Sequence, residues 1–454
     1  MEEPRWDAEP RTPELAVPIL PENRPFAASF PEKICALVMY LLAFCYIQMI
    51  FSPTLHAVWL CVFCAGFVAM AEVLFRARRR SWESWVWLSC MLVIVGSLVW
   101  REVQYVPYDA RRSAGASPAE PAVADTLAIF ILHAYAIYWA LCRADALLGG
   151  ESGHLLALDA LDGVIVFPFK HFFLRIRTAL FALTHLGGKE KRPAAVRFGI
   201  AAAVIAAVVL LVLALQFLSG ADARFDAAVS GLLTLVTTDW NNVTFVDLLY
   251  KFILSLPVGA YLFGLLAGTA REDTAVLRAR GERTESAITR LRKVPQTLWL
   301  AVLGIFTAVY LAFFALQAGY LFGAFSRTLP EGYTVAEYAR QGFFSLCRVM
   351  AVNFALLWLV TRSGALQASL HQPTRILCTA LLAESLLLAV IAASKLALYI
   401  DCFGFTPRRL QSAWLIAVLA AGCAAALYSL WSRKKSFRLW LLFSGVTLAL
   451  LHLF

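Results

Sequence analysis

The sequence predicts an all-α fold, a polytopic transmembrane helical bundle of about eleven spans. Three observations carry that expectation. Of 454 residues, 61% are hydrophobic and only 15% charged, against roughly 25% charged in soluble chains. The apolar residues are gathered into long blocks, an arrangement that only lipid tolerates as a solvent. The basic residues, in turn, concentrate in a few loops between those blocks.

The blocks, in chain order, begin with 34–51 and 55–74, a tight pair closed by the basic run Arg76, Arg78, Arg79 and Arg80. Next come 82–100 and 127–142, around a loop rich in Pro, Ala and Ser, then 198–218 and 245–267, around a polar segment at 222–242. Blocks 298–325 and 342–360 surround a short loop, and 376–400, 414–431 and 439–454 finish the chain. A helix needs about 20 residues, at about 1.5 Å each, to cross a hydrocarbon core of about 30 Å. Most blocks reach that length, whereas 127–142 and the last are short. The first thirty residues hold six prolines and no apolar h-region, so 1–32 reads as a disordered cytoplasmic tail and 33–454 as one transmembrane domain.

The net charge is +10. In a soluble chain this would point to nucleic acid; here it does not. The loops at 76–80, 143–197, 271–293 and 433–438 fall on one side of an eleven-span arrangement. That is the positive-inside pattern, with membrane lipids as the expected partner, the N-terminus cytoplasmic and the C-terminus outside. Arg408 and Arg409 run against it. Residues 155–186 mix apolar side chains with Pro168, Lys170, His171, Arg175 and Arg177, which predicts an interfacial amphipathic helix rather than a span. Residues 271–293 alternate acids and bases, as a solvated or partner-docking surface does.

Familiar chemical signatures are missing: there is no phosphate-cradling Gly-rich loop, no HExxH and no nucleophile elbow. Cys61 and Cys64 have CxxC spacing inside a span, where small buried apolar residues are the expected reading. No cofactor or metal is expected. The polar residues inside the spans are more informative, since a charge in hydrocarbon costs at least about 2.5–3.5 kcal/mol and usually faces the bundle interior. Arg348 and Asn353 lie in 342–360, and Glu384 and Lys395 in 376–400. Arg348 and Lys395 are expected roughly 9 and 8 Å below the outer surface, with Asn353 and Glu384 deeper. Glu384 and Lys395 share one helix face, about three turns apart. An internal salt-bridge network or an outward-facing site for an anionic or zwitterionic substrate would both account for them.

The segment Gln317-Ala318-Gly319-Tyr320-Leu321-Phe322-Gly323 is followed by Glu331 and then by Glu337-Tyr338-Ala339-Arg340-Gln341-Gly342-Phe343-Phe344. Later come Lys395-Leu396-Ala397-Leu398-Tyr399, Asp401 and Phe403-Gly404-Phe405-Thr406-Pro407-Arg408-Arg409. Over residues 310–412 this resembles a bacterial integral membrane family of the domain of unknown function 4153/4173 type, with its Q-x-x-Y-L-F-G and E-Y-A-R-x-G-F-F landmarks. The resemblance implies a bacterial cytoplasmic (inner) membrane protein and names no catalytic residue. The candidate polar residues are therefore Gln317, Tyr320, Glu331, Glu337, Tyr338, Arg340, Asp401, Thr406, Arg408 and Arg409, expected together at one outer mouth, with Arg348, Asn353, Glu384 and Lys395 inside the spans below it. Gln317 and Tyr320, three residues apart, are expected to face the same way. Three functions fit: a transport or permeation module, a sensing or assembly scaffold with an envelope protein partner, or an intramembrane transferase acting on lipid-linked substrates. In the last, Glu331 or Glu337 would be the base and Arg340 the phosphate ligand.

Overall fold

The structure, a computed structural model, describes residues 26–51, 57–105, 119–185, 245–289, 295–325, 332, 334–362, 372–432 and 436–453. Helices α1 (Phe30–Phe51), α2 (Ala57–Leu74), α3 (Trp82–Tyr105) and α4 (Ala119–Arg143) lead into a broken stretch. That stretch is α5 (Leu156–Leu161), a π turn (Asp162–Val166), α6 (Phe167–Lys170) and α7 (Leu174–His185). Helix α8 (Phe245–Phe263) runs through a second π turn (Gly264–Gly268) into α9 (Thr269–Arg271), and α10 (Thr274–Thr289) follows. The rest is α11 (Gln296–Leu316), α12 (Ala318–Phe322), α13 (Val335–Arg362), α14 (Gln372–Phe403), α15 (Pro407–Ser432) and α16 (Phe437–Leu451).

Eight described helices are long and apolar enough to cross a membrane, and the apolar helices Leu127–Arg143 and Phe437–Leu451 are shorter. The span predicted at 198–218 lies outside the described residues, as do most of the predicted tail and Glu331. The block at 298–325 is not one helix. It breaks at Gln317, whose φ of −106° and ψ of 16° leave the helical region.

Among the described residues two large apolar cores form, beside a small cluster of Ala324, Tyr338 and Leu398. The first gathers α1–α4, α8 and the final helix α16; the second gathers α11, α13, α14 and α15. Because α15 and α16 form a hairpin, the chain's end returns to its beginning. Trp440 donates from α16 to the Val418 carbonyl of α15 at 2.9 Å, while Tyr135 of α4 donates to the Gly445 carbonyl at 2.5 Å. A Cβ on Gly445 would lie 2.6 Å from the Trp87 ring, so only glycine lets α3 and α16 approach this closely.

The basic loops meet at one end. Arg143 grips Glu72 through Nε and Nη2 at 2.9–3.1 Å, and Arg80 joins the same carboxylate at 2.7 Å. Arg438 pairs with Glu83 and Glu151, Arg278 with Asp145 at 2.6 Å, and Arg271 with Glu32 at 2.7 Å. The charge pattern that predicts sidedness thus becomes a layer of ion pairs linking helix ends far apart in sequence. At the opposite end, Arg101 donates to the His452 carbonyl at 2.9 Å.

The stretch expected as one interfacial helix is instead broken, and it packs on α1, α4 and α8 beside this basic layer. Its fit is close. A Cβ on Gly264 would sit 2.6 Å from the Pro168 carbonyl, and one on Gly268 would sit 2.6 Å from the His171 ring. Segment 274–289 of the mixed-charge region is helical, and Arg278 and Arg280 anchor it.

Candidate functional site

The break at Gln317 has a consequence for the chemistry. With α12 redirected, Gln317 points outward and is exposed, while Tyr320 turns inward. The two do not face the same way, contrary to the expectation from their spacing, because that spacing assumes one continuous helix. Tyr320 meets Tyr338 of α13 edge to face, with centroids 5.1 Å apart and planes at 87°. The Tyr338 hydroxyl donates to the Tyr320 carbonyl at 2.5 Å. Between the rings lies Lys395 of α14, fully buried, its Nζ 3.8 Å from the Tyr320 centroid and 4.1 Å from that of Tyr338. Nζ has no hydrogen-bond acceptor among the described residues. Two ring faces, each worth up to about 2 kcal/mol to a desolvated cation, take the place of an anion.

Deeper in the bundle, Asn353 of α13 is buried and bridges two helices. Its Oδ1 accepts from Tyr310 of α11 at 2.6 Å, and its Nδ2 donates to Ser385 Oγ of α14 at 2.9 Å. Ser385 Oγ in turn donates to the Leu381 carbonyl at 2.8 Å. Glu384, next along α14, is 7% exposed, and its Oε2 is buried without a partner among the described residues. No described cation pairs with it. Lys395 and Glu384 are therefore buried ionisable groups with no described ion-pair partner, at two depths on one helix and about 16 Å apart along the axis.

The other candidates lie apart from these two centres. Thr334 and Glu337 form a reciprocal capping box on α13, with the Thr334 hydroxyl donating to the Glu337 carboxylate at 2.8 Å and the Glu337 N–H to Thr334 Oγ1 at 3.3 Å. Thr406 starts α15, its carbonyl accepting from the backbone of Arg409 at 3.0 Å. The Arg409 guanidinium stacks on Tyr399 at 4.2 Å and donates to the Gly404 carbonyl. Gly404 closes α14 in the left-handed region, at φ +76°. Arg340, Asp401 and Arg408 are exposed at this end. Arg348 is exposed partway along α13, its Nε donating to the Phe344 carbonyl at 3.3 Å. The structure thus separates the predicted cluster into a cage, a buried polar chain, helix caps and exposed charges.

Sequence reasoning missed Tyr310 and Ser385, because a single hydroxyl in an apolar helix carries no signal until its partner is known. It also missed Asp159 of the basic layer, and read Glu272 only as part of an alternating charged surface. Burial pushes the Asp159 carboxyl up to about 6, helped by the nearby charge of Asp162 and opposed by the Leu148 N–H at 2.8 Å and by Arg278. Burial alone would raise Glu272, yet hydrogen bonds from Lys170 and His171, at 2.6 and 2.7 Å, hold it below the ordinary carboxylate value. Among the described residues no group of acids, histidines and cysteines is placed to hold a metal ion; Cys61 is exposed on α2 and Cys64 buried.

No curated protein and no solved structure matches this chain. A family model, described as a domain of unknown function (DUF4153), matches residues 113–454, which take in the helices from α4 to α16 and every candidate residue above. With three quarters of its length matched, the chain belongs to the DUF4153 family.

Proposed function

We propose that this protein is a transport or permeation module of a bacterial inner membrane, with α14 carrying its ion-handling site. On this reading the ion-pair layer and the N-terminus face the cytoplasm and the C-terminus lies outside, as the distribution of basic loops favours. One observation carries the proposal: Glu384 and Lys395 are buried on the same helix, and neither touches a counter-charge among the described residues. Static packing does not favour this arrangement. An unpaired charge in a low-dielectric interior is costly, and apolar substitutes serve packing better. Ionisable residues facing the interior of a membrane bundle are instead the usual means of passing protons or ions. The Tyr310–Asn353–Ser385 chain beside Glu384 adds polar groups at the same depth.

Purified protein in liposomes that enclose a pH-sensitive dye, with an imposed potassium diffusion potential, tests the reading. Proton flux above that of protein-free liposomes is expected, reduced at least tenfold in Glu384→Gln and in Lys395→Met. Flux equal to the protein-free background, or unchanged in both variants, would rule the proposal out.

Arg348 favours a second reading, an assembly scaffold. An exposed guanidinium partway along a span is accommodated best against a protein partner or by snorkelling to the headgroups. Crosslinking from position 348 to another protein in native membranes, with no flux in liposomes, would select that reading. The transferase has the least support, since Glu337 is engaged in capping α13.

A further inference from the structure

The first bundle, away from α14, forms a half-open cavity of about 400 Å³ between α1, α2, α4, α8 and the α6 segment. Its size is that of small-molecule sites, roughly 300–1,000 Å³. Phe63, Phe67, Phe172 and Leu265 contribute apolar wall, and Tyr46, His133 and Tyr261 bring the polar atoms. Each of these polar atoms is engaged elsewhere. His133 Nδ1 lies 2.6 Å from the Ile129 carbonyl, which can only accept, so Nδ1 bears the proton. Nε2 is then the acceptor, and the Tyr46 hydroxyl donates to it at 2.8 Å. The Tyr261 hydroxyl donates to the Val164 carbonyl at 2.9 Å.

With those protons committed, the wall offers a ligand no hydrogen-bond donor. A polar solute would forfeit its water hydrogen bonds here without replacement, whereas a hydrocarbon loses nothing. The surroundings supply that hydrocarbon. Phe169, on the wall, is 61% exposed, and its neighbours Val164, Ile165 and Phe173 are exposed as well. The cavity's α6 side is therefore a lipid-facing apolar surface. The same segment carries Lys170, more than half exposed, and leads into α7 with Arg175 and Arg177. Arg175 is largely buried, stacks on Tyr40 at 4.6 Å, and has no carboxylate partner among the described residues. We infer that the cavity binds an acyl chain of an anionic phospholipid, which enters sideways past Phe169 while its headgroup stays at the basic layer beside α6 and α7. The site is separate from the ion-handling site of α14 and stands whether or not that reading holds.

The test uses the full-length protein in nanodiscs containing phosphatidylglycerol with a mid-chain diazirine, irradiated and mapped by mass spectrometry. Adducts are expected on Phe63, Phe67, Phe172 or Tyr261, and Ala136→Phe, which narrows the cavity from α4, is expected to remove at least nine-tenths of them. Should Ala136→Phe not fold, Val258→Phe narrows the cavity from α8, and excess hexadecane added to the wild-type protein gives a readout that needs no variant. Hexadecane is expected to suppress these adducts and to spare those on the outer faces of α11 and α15. Adducts on the outer faces alone, or cavity adducts that survive both substitution and competition, would overturn the inference. Equal labelling by a phosphatidylcholine probe would overturn the anionic preference.

Discussion

Replacing Lys395 with methionine keeps most of its volume and removes its charge. The amine is fully buried against two rings, with no hydrogen-bond acceptor among the described residues, so the variant should be more stable in detergent, by about 1–3 kcal/mol in thermal or denaturant unfolding. A loss of stability would mean that the cage depends on the charge. Asn353→Ala should act oppositely. It strands the Tyr310 hydroxyl in the second core and removes the link to Ser385, at a cost of about 1–3 kcal/mol. Asp159 gives a pH signature. Its folded-state value of about 6 lies above the ordinary 3.8, so the folded protein holds this proton more tightly than the unfolded chain. The stabilisation is complete below about pH 4 and lost as pH rises through 6, a difference of roughly 3 kcal/mol at about 1.4 kcal/mol per pH unit. Unfolding measured from pH 4 to 7 should lose this component in Asp159→Asn, and an unchanged pH profile would refute the assignment.

At the scale of elements, close approaches separate glycines that read identically in sequence. Gly264 and Gly268 face the α6 segment at distances that admit no Cβ, whereas Gly304 of α11 has nothing within 4 Å. Gly264→Ala should destabilise by about 1–3 kcal/mol through overpacking, and Gly304→Ala should be neutral or stabilising by up to about 1 kcal/mol through helix propensity. Comparing the two melting curves checks both. The eight long apolar helices among the described residues were legible from block length and hydropathy, most within several residues at their ends. The break at Gln317 was not, since its neighbours Leu316 and Ala318 suit a continuous helix. Nor was the broken path of 155–186, whose composition matches an amphipathic helix as well as a packed irregular segment.

At the scale of the whole molecule, the two ends of the bundle differ in charge. The basic layer and the α13–α15 turns lie at opposite ends. In a background with Cys61 and Cys402 changed to serine, cysteines placed at Arg79 and Thr334 should be labelled by an impermeant maleimide from opposite sides of the membrane. Labelling of both from one side would refute the arrangement. Helix α16 ties the last span to the first bundle through Tyr135, Trp87 and Arg438, so the two cores are expected to unfold together.

Membrane residence, the approximate spans and the gathering of basic loops at one end follow from the sequence by itself, because hydropathy and loop charge are local sums that need no knowledge of neighbours. The three landmark residues Tyr320, Tyr338 and Lys395 were also visible as candidates, but not as a cage. Which helix faces meet, where a helix breaks and which hydroxyl pairs with Asn353 or His133 were decided by tertiary structure alone. Those outcomes depend on contacts between segments distant along the chain. An apolar helix offers many nearly equivalent faces to its partners, so its own sequence leaves the choice among them open.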